Sequence, residues 1–320
     1  MARTPISLSF AIAFAIFPLA SHASCGSAFC TLMTDRYAQG TGEPHVGWSA
    51  DFRLEAVTQD RLRSGTHSLS PADVTGEDSI ERVTRNLNFV TTLGYGFDEH
   101  WSVSVRAPVV RRFHSHDLLD PAGGPSTLEQ WRFTRAGDVQ VTARRQQLLD
   151  DTATSWAWFA GLKLPTGSTN VVNADGSRAE RALQPGTGTT DATAGLAARH
   201  AAGLFDAVFG QVSVMAALGS HEDFRPGNRV EAAAGWSHAF SNTWGSVLQL
   251  NVRHRKRDTG AQAEPGNSGS TIVDLSPGFT HAVGESSTLY AYLQVPIYQK
   301  VTGVQLVPRR ALAVGWTMDF

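Results

Sequence analysis

Apolar and polar residues alternate along most of this chain. The clearest run spans Ala311 to Phe320. Leu312, Val314, Trp316, Met318 and Phe320 fall on one face of an extended segment, with Ala311, Ala313, Gly315, Thr317 and Asp319 on the other. Such a period-two pattern marks a strand with one greasy and one wet face. About twelve segments follow it. The first sets Val46, Trp48, Ala50, Phe52, Leu54 and Ala56 against Ser49, Asp51, Arg53 and Glu55. The others cover 86–97, 101–109, 138–144, 156–164, 191–199, 208–218, 229–240, 244–253, 273–280, 289–298 and the terminal run.

The connections alternate too. Short turns fall near 98–100, 150–152, 203, 241–242 and 284–286. Longer Gly/Pro-rich loops fall at about 58–80, 114–134, 166–189, 219–228, 255–269 and 299–308. Bacterial outer-membrane barrels have short periplasmic turns, long outer loops and an apolar outer face. The large apolar side chains share one face and the charged ones the other. Twelve strands enclose an interior too wide for ordinary side chains to fill. The expected fold is therefore all-β: a transmembrane antiparallel up-and-down β-barrel of about 12 strands. Trp101, Trp156, Trp236 and Trp244, at strand ends near the short turns, suit an interfacial girdle.

The N-terminal residues divide the chain. Residues 1–23 read as a signal peptide, with Arg3, an apolar stretch from Leu8 to Ala20, and small residues before the cleavage site. Cys25 as a lipoprotein site is disfavoured because His22 stands where such sites want Leu. Residues 24–43 form a periplasmic segment that can reach into the barrel as a plug through Phe29, Leu32 and Met33, or hold a periplasmic partner. Residues 44–320 form the barrel. Cys25 and Cys30 read as a local disulfide in an oxidising compartment. The alternative is a metal or redox thiol pair, though two thiols do not complete a zinc site. No stretch of 18 apolar residues offers a membrane helix. The mean hydropathy of -0.17 is what a barrel needs, since only alternate residues meet lipid. A net charge of -2 gives no reason to expect a nucleic-acid partner.

The wet faces collect charge. Arg53, Arg106, Arg112, Arg144, Lys163, Arg199, Arg229 and Arg253 are expected in the lumen with Asp51, Glu55, Asp138, Asp191, Glu231 and Asp274. They serve either as cross-strand pairs bracing the wall or as a selectivity-setting constriction. Phe159, Phe209, Met215, Tyr290, Tyr292 and Tyr298 are expected on the same face, as a slide for aromatic solutes or as wall filling. His114 and His116, two apart on one face, are read as loop histidines rather than metal ligands, and no cofactor is expected. The basic run Arg253 to Arg257 enters an outer loop and could touch lipopolysaccharide phosphates. A barrel phospholipase would need a Ser–His pair. Ser246 and His254 lie about 26 Å apart at strand rise, and Ser237 and His238 face opposite ways, so no enzyme is expected.

The segment Gly161-Leu162-Lys163-Leu164-Pro165-Thr166-Gly167, followed by Gly186-Thr187-Gly188 and Asp191, resembles the phenol MetA-pathway group of bacterial outer-membrane proteins. That group is loosely related to barrels that import hydrophobic compounds. The resemblance implies an outer-membrane channel or transporter for small, aromatic or apolar solutes, and carries over no binding residue. The final strand with Trp316 and Phe320 looks like the signal read by the barrel assembly machinery. Expected partners are then outer-membrane lipid, lipopolysaccharide, that machinery and a small solute, in the outer membrane of a Gram-negative bacterium. The alternative is a structural or partner-binding barrel.

Overall fold

A computed structural model describes residues 45–151 and 153–320. The strands are β1 (Gly47–Gly65), β2 (His67–Leu69), β3 (Ser79–Gly96), β4 (Trp101–Leu118), β5 (Thr127–Ala136), β6 (Val139–Leu148), β7 (Thr154–Leu164), β8 (Asp191–Ala201), β9 (Asp206–Ala217), β10 (Arg229–Ala239), β11 (Trp244–Arg255), β12 (Ser270–Ala282) and β13 (Ser287–Asp319). Each pairs antiparallel with its neighbours, and β13 returns to β1 in register from Ser49↔Asp319 to Gly65↔Val301. Trp48 and Phe320 exchange both backbone hydrogen bonds, at 3.0 Å each. The sheet is thus a closed ring of eleven strands, with β2 and β5 outside the ring. The long β13 contributes twice. Its first half runs antiparallel to β12 and its second half antiparallel to β1, with the reversal near Val301. Counting both legs gives the twelve wall segments that the alternation predicts.

The faces sort as the pattern requires. Leu54, Phe89, Val109, Leu196, Val212, Leu248, Leu293 and Val314 are exposed on the outside. Arg53, Glu55, Asn86, Asn88, Gln249, Asn251, Asp274 and Ser276 are buried within. The short turns lie at the end where Trp48 meets Phe320. Two are held by aspartates. Asp98 accepts from the backbone N–H groups of His100 and Trp101, both at 2.7 Å. Asp151 accepts from those of Ala153 and Thr154 at 3.0 and 2.8 Å. The Thr154 hydroxyl also donates to Asp151, at 2.6 Å, and leads in lowering that carboxyl, while the backbone bonds lower Asp98. Both sit below their ordinary range because these bonds favour the ionised form.

The wall departs from expectation at its other end. Stretches 58–80, 114–134 and 299–308, expected as loops, are largely strand, so β1, β3 and β4 reach 18 or 19 residues while β7, β8 and β10 have 11. β5 arises in the expected 114–134 loop. It pairs with the outer half of β4, and β6 continues along the inner half, with Gly137 and Asp138 between them. Alternation weakens here because outward positions carry arginines such as Arg85, Arg111 and Arg132, while the inward side is covered by folded loops. A second departure concerns Tyr298, expected in the lumen. A bulge opposite Val273 and Asp274 inserts one residue into β13, which reverses the faces beyond it. Tyr298 is 44% exposed, on the outer side.

Candidate functional site: the barrel chamber

Inward residues of the lower wall enclose a chamber of about 300 Å³. Its charged lining is Arg53, Arg106, Arg144, Lys163 and Arg229 against Asp51, Asp138 and Glu231. The acids are largely occupied. Asp51 accepts from the hydroxyls of Tyr290 and Thr317 at 2.7 and 2.8 Å. Asp138 takes Lys163 at 2.8 Å. Arg53 pairs with Glu55 at 2.9 Å, just above. Arg106 forms no hydrogen bond or ion pair among the described residues, and Arg229 donates only to the Met215 sulfur, at 2.8 Å. The chamber thus offers more cation than anion to a solute.

Its aromatic side is built by close packing. Phe159 lies opposite Gly195, Phe209 opposite Gly235 and Tyr292 opposite Gly278 on neighbouring strands. Tyr290 covers Gly315. At each of these glycines a Cβ would strike the ring. The rings are nine-tenths or more buried and lie against the wall, and Phe159 also lines the chamber. Phe209, Tyr290 and Tyr292 cluster with Val247 and Ala313.

A clasp roofs this space. Lys163 on β7 donates to Asp138 at 2.8 Å, contacts Asp191 on β8 at 3.1 Å, and donates to the Thr189 carbonyl at 3.1 Å and to the Thr187 hydroxyl. Asp138 also accepts from the backbone N–H of Gly167 at 3.0 Å and of Thr187 at 2.9 Å. The two ends of the β7–β8 connection therefore cross at one carboxylate, and the Gly167 and Gly186 backbones approach too closely for any side chain. The segments 161–167 and 186–191 form this clasp. The loop it gathers folds inward. Leu183 and Ala179 pack on Trp131, and Val171 on Val110 and Phe133. Arg112 donates to Asn86 at 2.7 Å and to the Leu183 carbonyl at 2.5 Å.

Of the expected lumen charges, Arg112 is thus a loop anchor, and Arg253 pairs with Asp274 at 2.7 Å, where Gln294 also donates. Arg144 is buried on the inner face and lines the chamber. Arg199 faces inward on β8. Cross-strand pairing thus accounts for Arg253 with Asp274, while Arg106 and Arg229 line the chamber without an ion pair among the described residues. The histidines read as solvated are buried inside β4. His114 meets Thr84 at 2.8 Å and His116 at 3.4 Å, and His116 meets Glu129 at 3.0 Å. Among the described residues no three such groups could hold a metal ion. Cys25 and Cys30 lie outside the described residues. Trp316 and Phe320 are exposed on the outer face. One Ser–His pair does meet across neighbouring strands. Ser246 lies opposite His238 in the sheet, and His238 bonds Asp206 at 2.9 Å. Ser246 makes no hydrogen bond to that ring among the described residues, and His238 instead stacks on Trp236 and meets Phe240 edge to face. Sequence reasoning missed Trp131, whose only signal was a Trp inside a stretch that looked like loop, and it gave Thr187 a place in a motif but no role.

No family model and no curated protein matches the chain. Solved structures do. The COG4313 outer membrane channel from Pseudomonas putida F1 is similar over 86% of this chain and 96% of its own, at 13% identity and a TM-score of 0.60. The NanC porin aligns over 85% and 100%, at 11% identity and a TM-score of 0.47. The Ralstonia pickettii toluene transporter TbuX aligns over 88% and 93%, at 9% identity and a TM-score of 0.45. The first likeness is one of fold: a closed barrel of the kind that outer-membrane channels use.

Proposed function

We propose that this chain is an outer-membrane channel that passes small solutes passively, and that its chamber favours solutes joining an apolar body to an anionic group. The observation that carries the reading is the chamber itself. It is a cavity lined by charged, polar and apolar groups inside a ring whose outer face is apolar, and it holds Arg106 and Arg229, neither within ion-pair distance of a carboxylate among the described residues, near Phe159 and Met215. The outer belt supports insertion in a bilayer. From Trp48 to Ala56 a strand rises about 27 Å, or about 20 Å along the membrane normal at the tilt usual for such barrels. Insertion places the short turns in the periplasm of a Gram-negative cell. The transporter-like clasp motif and the barrel fold agree with this reading. Aromatic solutes fit it as ring-bearing acids.

The test is single-channel recording from mature protein in planar bilayers, with and without residues 24–43. Steady, anion-preferring conductance is expected. Replacing Arg106 and Arg229 together by Gln should lower the chloride-to-potassium permeability ratio at least twofold while leaving the folded barrel intact. Silence from both lengths of folded protein overturns the channel reading. An unchanged ratio overturns the assignment of these two arginines.

A further inference from the structure

We infer that the outer wall over β13, β1, β3, β4 and β5 is a binding site for the phosphate groups of lipid A, resting on the membrane reading above. Pairing aligns outward residues of these five strands in rows. One row is Val314, Leu54, Phe89, Val109 and Ala136. The next is Leu312, Ala56, Leu87, Arg111 and Thr134. The row beyond is Arg310, Thr58, Arg85, Phe113 and Arg132. An apolar belt therefore gives way, within two residues along each strand, to a band of arginines. Arg61 continues the band past the β1 bulge.

Arg61, Arg85, Arg111, Arg132 and Arg310 are all exposed. Among the described residues none of them has an ion-pair partner. The carboxylates of the same wall are already taken, Asp60 by Arg309 at 2.9 Å and Asp117 by Arg82. Phe113 lies between two of the guanidinium groups, 5.7 Å from Arg85 and 5.3 Å from Arg132. Stacking on a ring face leaves the N–H edges of both groups turned to their surroundings, the geometry in which arginine binds phosphate through paired hydrogen bonds. Five unpaired positive charges on one wall repel each other, and an anionic partner at the edge of the belt removes that repulsion. The band lies toward the long-loop end, the outer end of a bacterial barrel, where lipid A presents phosphates directly above its acyl chains. The basic run at Arg253–Arg257 fits the role less well, since Arg253 and Arg255 are committed to Asp274 and Asp258.

The test is native mass spectrometry of the folded barrel in detergent micelles, titrated with diphosphoryl lipid A, monophosphoryl lipid A or phosphatidylglycerol. Wild type should retain diphosphoryl lipid A, and monophosphoryl lipid A more weakly. The variant Arg85→Gln/Arg111→Gln/Arg132→Gln/Arg310→Gln should lose at least tenfold in affinity. Heat-modifiable mobility on gels establishes that the variant is folded, and Arg132→Gln alone, with a smaller loss, serves if the quadruple variant is not. Equal retention by folded wild type and variant overturns the inference. So does phosphatidylglycerol binding as tightly as lipid A, which would mean unspecific attraction to negative lipid. Conductance in phosphatidylcholine bilayers, which contain no lipid A, reports on the channel reading separately.

Discussion

The four ring–glycine contacts set how tightly single positions in this wall are constrained. A β-sheet glycine has no side chain to pack, and a ring from the next strand can cover it. At Gly278 the ring is Tyr292, itself 1% exposed and pressed into a cluster with Phe209 and Tyr290. Gly278→Val must displace that ring, and overpacking of this kind costs about 1–3 kcal/mol. Its urea midpoint in lipid should fall accordingly. Gly210→Ala is the matched control, because its added Cβ would meet only the Ala233 carbonyl at 3.6 Å, and a change within about 0.5 kcal/mol is expected. The inward direction of Phe159, Phe209, Tyr290 and Tyr292 was legible from alternation. Their partners were not, because a glycine's place in a register is set by pairing across strands. Tyr298 was misread for a related reason: one inserted residue in β13 reverses every side chain after it, and no composition marks the insertion.

The β7–β8 connection shows how an element is held by groups remote in the chain. Lys163, Asp138 and Asp191 are each at least nine-tenths buried, so removing the cation leaves two carboxylates without it in a low-dielectric site. Lys163→Met should cost about 3–5 kcal/mol, as breaking a buried pair does, and should add flicker to the open-channel current as the loop detaches. A variant with wild-type unfolding and quiet current would show the clasp to be dispensable. A second tie joins this loop to the β9–β10 connection through Glu222, which pairs with Arg178 and, at 3.4 Å, with Arg181. The hydrogen bond from Arg178 holds the Glu222 carboxyl below its ordinary value. A carboxyl lowered by folding contributes above its unfolded pKa, and that contribution fades as pH falls through the folded one. Current noise should therefore stay flat from pH 7 to about 5 and rise only below about pH 4, under the ordinary carboxylate range. Glu222→Gln should be noisy already at neutral pH. The ends of this loop were visible in sequence as Pro165-Thr166-Gly167 and Gly186-Thr187-Gly188. Asp138, which joins them, was visible only as a polar strand residue.

Across the whole molecule, the twelve wall segments and the side bearing the short turns were readable because the outward residues of each strand are apolar and the inward ones polar, which leaves a strong period of two. The tall rim was not. Where β4 carries His114 and His116 inward, the interior is filled by the folded loop and by Trp131 of β5, and the outward positions hold arginine, so both faces are polar and the period fades. Closure was expected from the barrel reading, and the mutual Trp48–Phe320 hydrogen bonds realise it. That seam has a consequence in time. β1 is synthesised before every other strand of the wall, yet its second edge gains a partner only when the last leg of β13 arrives. Loop-closure entropy grows slowly with length, about 0.6 kcal/mol per doubling, so distance along the chain adds little to the free energy of closing. It adds delay, because pairings this far apart form late. During that delay β1 carries an open row of backbone donors and acceptors, a template for any extended segment nearby. The finished ring has no such edge, so the hazard of wrong pairing falls in the interval between synthesis and closure.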